Sequence, residues 1–431
     1  VLVDTDPGVD DVLAILLALA SPEIEILAIL VTYGTCCQPK LQARSLNIYK
    51  LYKAIARHLE VHPEDSSRFP NFGPAVKPFL ALGPKGPLKE DTHYAEYFHG
   101  PDGLSNITER HPELDIDVND PSFEQNFRIT DRSTVDITLD LLREYPDRTI
   151  TYIALGPLTQ LAQIVQTNGQ EFGDRIGKVV CMGGALDVPG NTTPIAEFNF
   201  YADPYAVKEL LVASPASVGL PLDRFLLLPL DITSRHNLSF PYYKEKVDPQ
   251  FSDTREPSRP EGKDPLTHFT SSFFERTREV MIGFGKDAME LHDIVAVWCA
   301  VECQPGDVAQ VAGRPLLKSG WGMTERHFDI ERTGELTRGM LIVDRRADAI
   351  SAPQPGLNRS ESEAPIPITT SNPYPIEKQT EEHAPVTAMH TSTQNGPPET
   401  THRRGVLCIH ETPGQDALVS LLLRRVWGVE G

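Results

Sequence analysis

The chain has 431 residues, 40% of them hydrophobic and 23% charged, which is enough apolar material for one large core or for two to three domains. Its 60 acidic and 40 basic residues give a net charge of −20. That charge does not attract a phosphate backbone or an anionic membrane, so nucleic acid and membrane are poor partners, whereas a small neutral ligand or a cation suits it. The longest apolar run, which holds residues 13–20 and begins at Val12, is far short of the roughly 20 residues that span a bilayer.

No basic stretch leads into a hydrophobic core and a cleavage site near the start, and a cytoplasmic protein is expected. The opening residue is Val1 and not Met, which leaves room for further residues, a short targeting signal among them, in front of it. Six cysteines (Cys36, Cys37, Cys181, Cys299, Cys303 and Cys408) make no disulfide framework in a chain this long, and reduced core thiols are expected. Cys299 and Cys303 would share a helix face, but no His or Cys pair completes a zinc site with them.

Taken in order, residues 1–4 form an apolar run that stops at Asp4-Thr5-Asp6-Pro7-Gly8, and residues 10–20 carry a helical stripe of Val12, Ile15, Leu16 and Leu19. Residues 24–32 are a nearly continuous apolar, β-branched run, as expected of a strand buried on both faces. Residues 41–58 read as a helix, 149–155 as a strand, 157–167 as a helix with Pro157 at its first position, and 179–182 as a strand ending in Gly183-Gly184. Asp203-Pro204 opens another helix, with Asp as cap and Pro in the first turn. Strands separated by helices of this length predict an α/β fold with an open, mostly parallel central sheet.

Three stretches interrupt this rhythm. Residues 60–71 and 105–132 are polar and read as surface insertions. Residues 351–404 hold nine prolines in their first fifty positions with many Ser, Thr, Glu and Gln, a composition that cannot bury enough apolar surface to order itself. Helical spacing returns in residues 415–427 with Leu418, Leu421, Leu422 and Val426. The expected organisation is therefore a catalytic domain over 1–350, a disordered insertion over 351–404, and a C-terminal segment, 405–431, whose helix packs back on the domain.

The most informative segment is Asp4-Thr5-Asp6-Pro7-Gly8-Val9-Asp10-Asp11, with four carboxylates at the carboxyl end of the first strand and the start of its helix. In open α/β sheets that edge is where ligands sit. Acids crowded there repel one another unless a hard cation neutralises them, and Ca²⁺ takes six to eight oxygen ligands. Helix-start chemistry accounts for Asp10 and Asp11 but not for Asp4 and Asp6, which interrupt a hydrophobic strand end. A haloacid-dehalogenase-type phosphatase also starts Asp-x-Asp after a strand, but it wants Thr or Val where this chain has Gly8, and two further acids follow here.

The segment resembles the Asp-x-Asp-Pro-Gly-x-Asp-Asp signature of the inosine–uridine nucleoside hydrolase family. The loop His99-Gly100-Pro101-Asp102-Gly103-Leu104, the strand ends Gly156-Pro157-Leu158-Thr159 and Met182-Gly183-Gly184, and the run Ala196-Glu197-Phe198-Asn199 after Asn191 are similar to its further motifs. His292-Asp293 at a helix start and residues 334–344 extend the likeness over about 1–350 and 405–428.

The resemblance implies a Ca²⁺-dependent ribonucleoside hydrolase, commonly a dimer or tetramer, acting on uridine, inosine or a related riboside. Asp6, Asp11 and Asp293 would hold Ca²⁺ with the backbone carbonyl of Leu155. Asp10, Asn191, Glu197 and Asn199 would grip the ribose, with His99 also in the pocket. Asp6 would take a proton from a Ca²⁺-bound water, and His292 would protonate the departing base. After the second strand the family usually reads Gly-Asn where this chain has Gly34-Thr35. Thr35 is therefore expected to reach the sugar only through water, and a catalytically impaired ribose-binding relative is the alternative. The base-facing loops are expected near residues 72–100 and 220–290.

Replacing residues 351–404 by a short Gly/Ser bridge should leave turnover and melting temperature nearly unchanged. A large loss of either would mean that this polar segment folds over the site.

Overall fold

Strands that lack a polar face need cover on both sides, and this chain supplies it by alternating strands with helices. The computed structural model describes residues 1–35, 41–73, 75, 77–117, 123–213, 219–303, 317–345 and 405–430. Seven strands come first in the chain: β1 (Leu2–Thr5), β2 (Ala28–Val31), β3 (Phe79–Leu82), β4 (Arg128–Ile129), β5 (Thr151–Ala154), β6 (Lys178–Met182) and β7 (Phe225–Leu228). A separate antiparallel ribbon pairs β8 (Asn237–Ser239) with β9 (Ala288–Glu290). Later come β10 (Gly322–Arg326), β11 (Asp329–Ile330), β12 (Leu341–Ile342) and β13 (Val406–Glu411).

The central nine-stranded sheet has the order β10-β13-β7-β6-β5-β1-β2-β3-β4, and only the β10–β13 pairing is antiparallel. This is the expected open, mostly parallel α/β sheet. From β1 the chain moves outward through β2, β3 and β4, then returns to lay β5 on the other edge of β1. The strand order reverses between β1 and β5, and their carboxyl ends form the crevice where such sheets bind ligands.

The main helices are α1 (Val9–Leu19), α2 (Leu41–Val61), α3 (Thr134–Glu144), α4 (Thr159–Arg175), α5 (Phe198–Ala202), α6 (Pro265–Gly283), α7 (His292–Glu302) and α8 (Gln415–Leu422). α1 and α7 are buried on nearly every face and pack side by side, so their N-termini reach the crevice together. Each aliphatic side chain sealed between sheet and helices, such as Ile15, Ile29 or Val295, contributes roughly 1.5–3 kcal/mol. Asp203 caps the short helix Pro204–Val207 by accepting from the Ala206 amide at 3.0 Å, as expected.

Several boundaries differ from expectation. The strand read over 24–32 is regular only at 28–31, because Ile24, Ile26 and Leu27 are apolar to fill the approach to the sheet. α4 starts at Thr159, leaving Pro157 ahead of its cap, and runs on to Arg175 across a kink at Asn168 (φ −155°, ψ 65°). The polar stretches 60–71 and 105–132 are not simple surface insertions, since Phe69, Ile107, Leu114 and Phe127 anchor them in the main core. Cys181, Cys299, Cys303 and Cys408 are free and buried. Cys36, Cys37 and the insertion read over 351–404 lie outside the described residues. Among the described residues, no helix is long and apolar enough to cross a membrane.

The last segment does more than lay a helix against the domain. β13 inserts between β7 and β10, and the chain then forms α8 and a wider turn, Leu423–Trp427. Trp427 packs edge-on to Tyr243, with ring centroids 5.6 Å apart, and donates from Nε1 to Thr270 Oγ1 at 3.1 Å. Arg425 donates to Ser21 Oγ at 2.8 Å and pairs with Glu23. Trp427→Ala should therefore cost about 3–5 kcal/mol in the denaturant-unfolding free energy. A loss below about 1 kcal/mol would show that this segment docks only loosely.

Candidate active site

At the end of β1 the chain leaves the sheet through residues 6–8 and enters α1 at Val9, so Asp6, Asp10 and Asp11 turn towards the crevice. Asp11 is locked by two local bonds, accepting from Thr5 Oγ1 at 2.5 Å and from the Gly8 amide at 3.1 Å. Asp293 enters from the first turn of α7. Oxygens of Asp10, Asp11 and Asp293 all lie within 4.8 Å of one another. Asp6 stands beside them, in a space that exists because its neighbours are glycines. A Cβ on Gly34 would fall 2.0 Å from Asp6 Oδ2, and one on Gly156 2.7 Å from Oδ1.

Burial, then mutual repulsion, dominates the electrostatics. Burial and the charges of Asp11 and Asp10 push Asp6 well above the usual carboxylate range. Burial and Asp11 raise Asp10 to about 7, burial raises Asp11, and burial with Asp10, Asp11 and Asp6 raises Asp293. Behind them Asp4, fully buried, is raised to about 8 by burial even though Tyr152 donates to it at 2.7 Å. Among these four aspartates no lysine or arginine is a cause of any shift. His292 alone offsets Asp10 in part, and buried acids with so little cationic compensation have the donor set of a hard-cation site. Leu155, just past β5, lines the cavity at the same edge; its carbonyl accepts from Asn199 Nδ2 at 2.6 Å and keeps a second lone pair.

A cavity of about 470 Å³ opens above these acids. Asp6, Asp10, Asp11, Thr35, His99, Leu155, Asn191, Glu197, Asn199, His292 and Asp293 all line it, so every residue singled out from the sequence converges on one space. Their individual settings differ. Glu197 caps α5, accepting from the amides of Asn199 (2.8 Å), Phe200 (3.0 Å) and Gly184 (2.8 Å); burial still raises it despite those donors. Asn191, at the exposed rim, accepts from the Phe198 amide at 3.0 Å. Asn199 ties the ends of β5 and β6 together by donating to the carbonyls of Leu155 and Met182.

His99 Nδ1 accepts from the Val9 amide at 3.2 Å, which puts any ring proton on Nε2, 4.0 Å from Asp10. Burial lowers His99 to about 3, so it is a neutral imidazole. His292 is the opposite case. Burial would lower it, but the hydrogen bond and charge of Glu290, with Asp10 and Glu197, outweigh burial and raise it. Its Nδ1 meets Thr233 Oγ1 at 2.9 Å and its Nε2 meets Glu290 Oε2 at 3.3 Å. Glu290 is itself drawn down to about 2, since His292 and Lys286 outweigh its burial. The two histidines of the cavity are thus shifted in opposite directions.

Thr35 gives its hydroxyl to the Asp6 backbone carbonyl. It braces the acidic loop, and its single proton is already committed there. Sequence reading missed Glu290 and Thr233, the pair that orients His292, and missed the Val188-Pro189-Gly190 wall. A carboxylate two residues before His292 at the end of β9 is the one signal that was available. Of the loops expected to face a base, Ala95, Tyr97, Phe98 and His99 and the positions Leu230, Ser234, Met281, Phe284, Lys286 and Glu290 do line the cavity.

Fold and site together define a class. A family model described as inosine-uridine preferring nucleoside hydrolase matches residues 1–374, and the chain belongs to that family. It is 29% identical over 344–347 residues to relatives that include the pyrimidine-specific ribonucleoside hydrolase RihA of Salmonella arizonae, covering 80% of this chain and 88% of that protein. It is 27% identical over 353 residues to the inosine-uridine preferring nucleoside hydrolase of Leishmania major, with the same coverage. Among solved structures, a plant nucleoside hydrolase superposes with a TM-score of 0.61 at 20% identity, covering 99% of this chain and 98% of the other.

If the acids are arranged for a cation, Ca²⁺ should raise the melting temperature of chelator-treated protein. Asp11→Asn should melt no lower than wild type without the ion, since it removes one repelling charge, and should gain little from Ca²⁺. Equal stabilisation of both proteins by Ca²⁺ would contradict this arrangement.

Proposed function

We propose that this chain hydrolyses the N-glycosidic bond of a ribonucleoside, of the uridine or inosine kind, to ribose and free base. The observation that carries the reading is the meeting of two settings in one cavity: a set of buried carboxylates with no lysine or arginine among the causes of their shifts, and a His292 whose proton Glu290 helps to hold. Breaking this bond builds positive charge on the sugar and negative charge on the base, so the carboxylates suit the first and the His292 proton the second.

Asp6, Asp11 and Asp293, with the Leu155 carbonyl, are the residues proposed to hold Ca²⁺, and the donor chemistry fits that ion. Bound there, the ion supplies a polarised, oriented water and offsets part of the acidic charge. Asp6, outside the tight triad, would act as general base towards the attacking water. Asp10, Asn191, Glu197 and Asn199 are the residues proposed to receive ribose hydroxyls, and unpaired groups would penalise a deoxyribose. His292 gives its proton to the leaving base while Glu290 and Thr233 hold the ring, and Tyr97, Phe98 and Phe284 offer aromatic faces to a planar base. Hydroxide oxygen joins the sugar carbon, the electron pair of the broken bond leaves with the base, and the His292 proton neutralises it.

Thr35 favours a second reading, a relative that holds ribose with little turnover, because the hydroxyl is spent on the Asp6 carbonyl. A panel of ribosides assayed for reducing sugar, with Ca²⁺ and with chelator, separates the two. The hydrolase reading expects sugar release that chelator removes and that Asp6→Asn lowers by about 100- to 10,000-fold. Ribose binding without sugar release from any riboside would establish the second reading instead.

A further inference from the structure

A second cluster of metal-ligand type lies away from the cavity, built by a segment that reads as polar surface. His111 precedes the short turn Pro112–Leu114, and its side chain is only 1% exposed. It faces His268, 5% exposed, near the start of α6; the ring centroids are 5.4 Å apart at 75°. Both imidazoles converge on one oxygen. Glu113 Oε1 lies 3.2 Å from His111 Nδ1 and 2.9 Å from His268 Nε2, and the three ligand atoms lie within 4.8 Å of one another.

The surroundings match what a metal-bound histidine needs. His111 Nε2 stands 3.1 Å from Glu275 Oε2, a buried carboxylate that also takes Arg110 Nη2 at 2.9 Å. A carboxylate behind the ring keeps the proton on Nε2 and leaves the Nδ1 lone pair free for a metal. That lone pair then points at the Glu113 carboxylate, so a positive charge has to stand between them, either a second ring proton or a metal ion. On His268, Nδ1 has no hydrogen-bond partner, so nothing opposes moving the proton there and freeing Nε2. Tetrahedral zinc with bonds of about 2.0–2.1 Å keeps its ligand atoms roughly 3.3 Å apart, close to the spacings here. Glu113 is 45% exposed, which gives an entry path and leaves a coordination position for water.

We infer that His111, Glu113 and His268 form a second metal site, selective for a borderline transition ion such as Zn²⁺, with Glu275 as the positioning carboxylate. Two imidazoles exclude Ca²⁺ as the preferred occupant, whereas the all-oxygen cluster favours it. The site works as a staple. It ties the 111–113 turn to α6, which Ser105 also meets through Thr277 at 2.8 Å and whose Met281 lines the cavity. The occupied staple fixes that wall.

The test uses the full chain, stripped with chelator and returned to saturating Ca²⁺ so that the acidic cluster is filled. Zn²⁺ retained after desalting is then counted, and Co²⁺ is titrated in to read its visible bands. The expected result is one equivalent of Zn²⁺ that Ca²⁺ does not displace, nitrogen-ligated four-coordinate Co²⁺ bands, and a melting temperature raised by a few degrees. Glu275→Gln should weaken the affinity about 10- to 100-fold. Glu113→Gln and His268→Gln should each lose the equivalent; if the buried His268 variant fails to fold, the half-exposed Glu113 variant decides. No retained Zn²⁺, or the same uptake in Glu113→Gln, would overturn the assignment and leave a proton between His111 and Glu113.

Discussion

Like charges buried together at the edge of a parallel sheet are the constraint on which the rest of this molecule turns. Asp6, Asp10 and Asp293 lose water and face further carboxylates, and are pushed upward for both reasons; Asp11 is pushed upward by burial alone. A fold keeps such an arrangement only if its surroundings hold the acids in place. The helices α1 and α7, apolar on nearly every face, do so from below. Thr5, the Gly8 amide and Thr35 do so from the loop, and Gly34 and Gly156 leave room for the carboxylate of Asp6. The switch point between β1 and β5 puts this crowd where a ligand can enter.

From that constraint the cavity acquires a polarity. Its acids suit a cation and an electron-poor sugar, and its wall also carries His292 with a carboxylate behind it. His99, as buried as His292, is lowered by that burial and by the charge of His292; the Val9 amide points at its Nδ1, and its nearest carboxylate, Asp10, stands 4.0 Å from Nε2. Two equally buried histidines of one cavity thus differ because Glu290 hydrogen-bonds to only one of them. This is the physical basis for assigning proton donation to His292 and leaving a binding part to His99.

How much of this was legible in the sequence depends on the range of the interactions. The β1 loop, the caps at Asp203 and the buried strands were readable because they are local: the period and the capping residue sit within a few positions of the effect. The site list was readable through motif resemblance, and its members do share one space. The pairing that was not readable is non-local. Thr233 and Glu290 reach His292 from two other elements, and β13 enters the sheet between β7 and β10 from the far end of the chain. The burial of Ile107, Leu114 and His111 was hidden in the same way, because a polar stretch shows its few anchors only once α6 is packed against it. The start of α4 failed for a local reason: Pro157 is compatible with a first turn but does not require one.

The central claim, that the buried acids exist to hold one hard cation at the switch point, is tested most directly by diffraction from crystals grown with Ca²⁺ and ribose, using the anomalous signal of the ion. The account predicts a single strong peak about 2.3–2.6 Å from oxygens of Asp6, Asp11 and Asp293 and from the Leu155 carbonyl, with ribose hydroxyls beside it. A peak held by Asp10 in place of Asp6 would move the general base to another residue. No peak among these carboxylates would contradict the account.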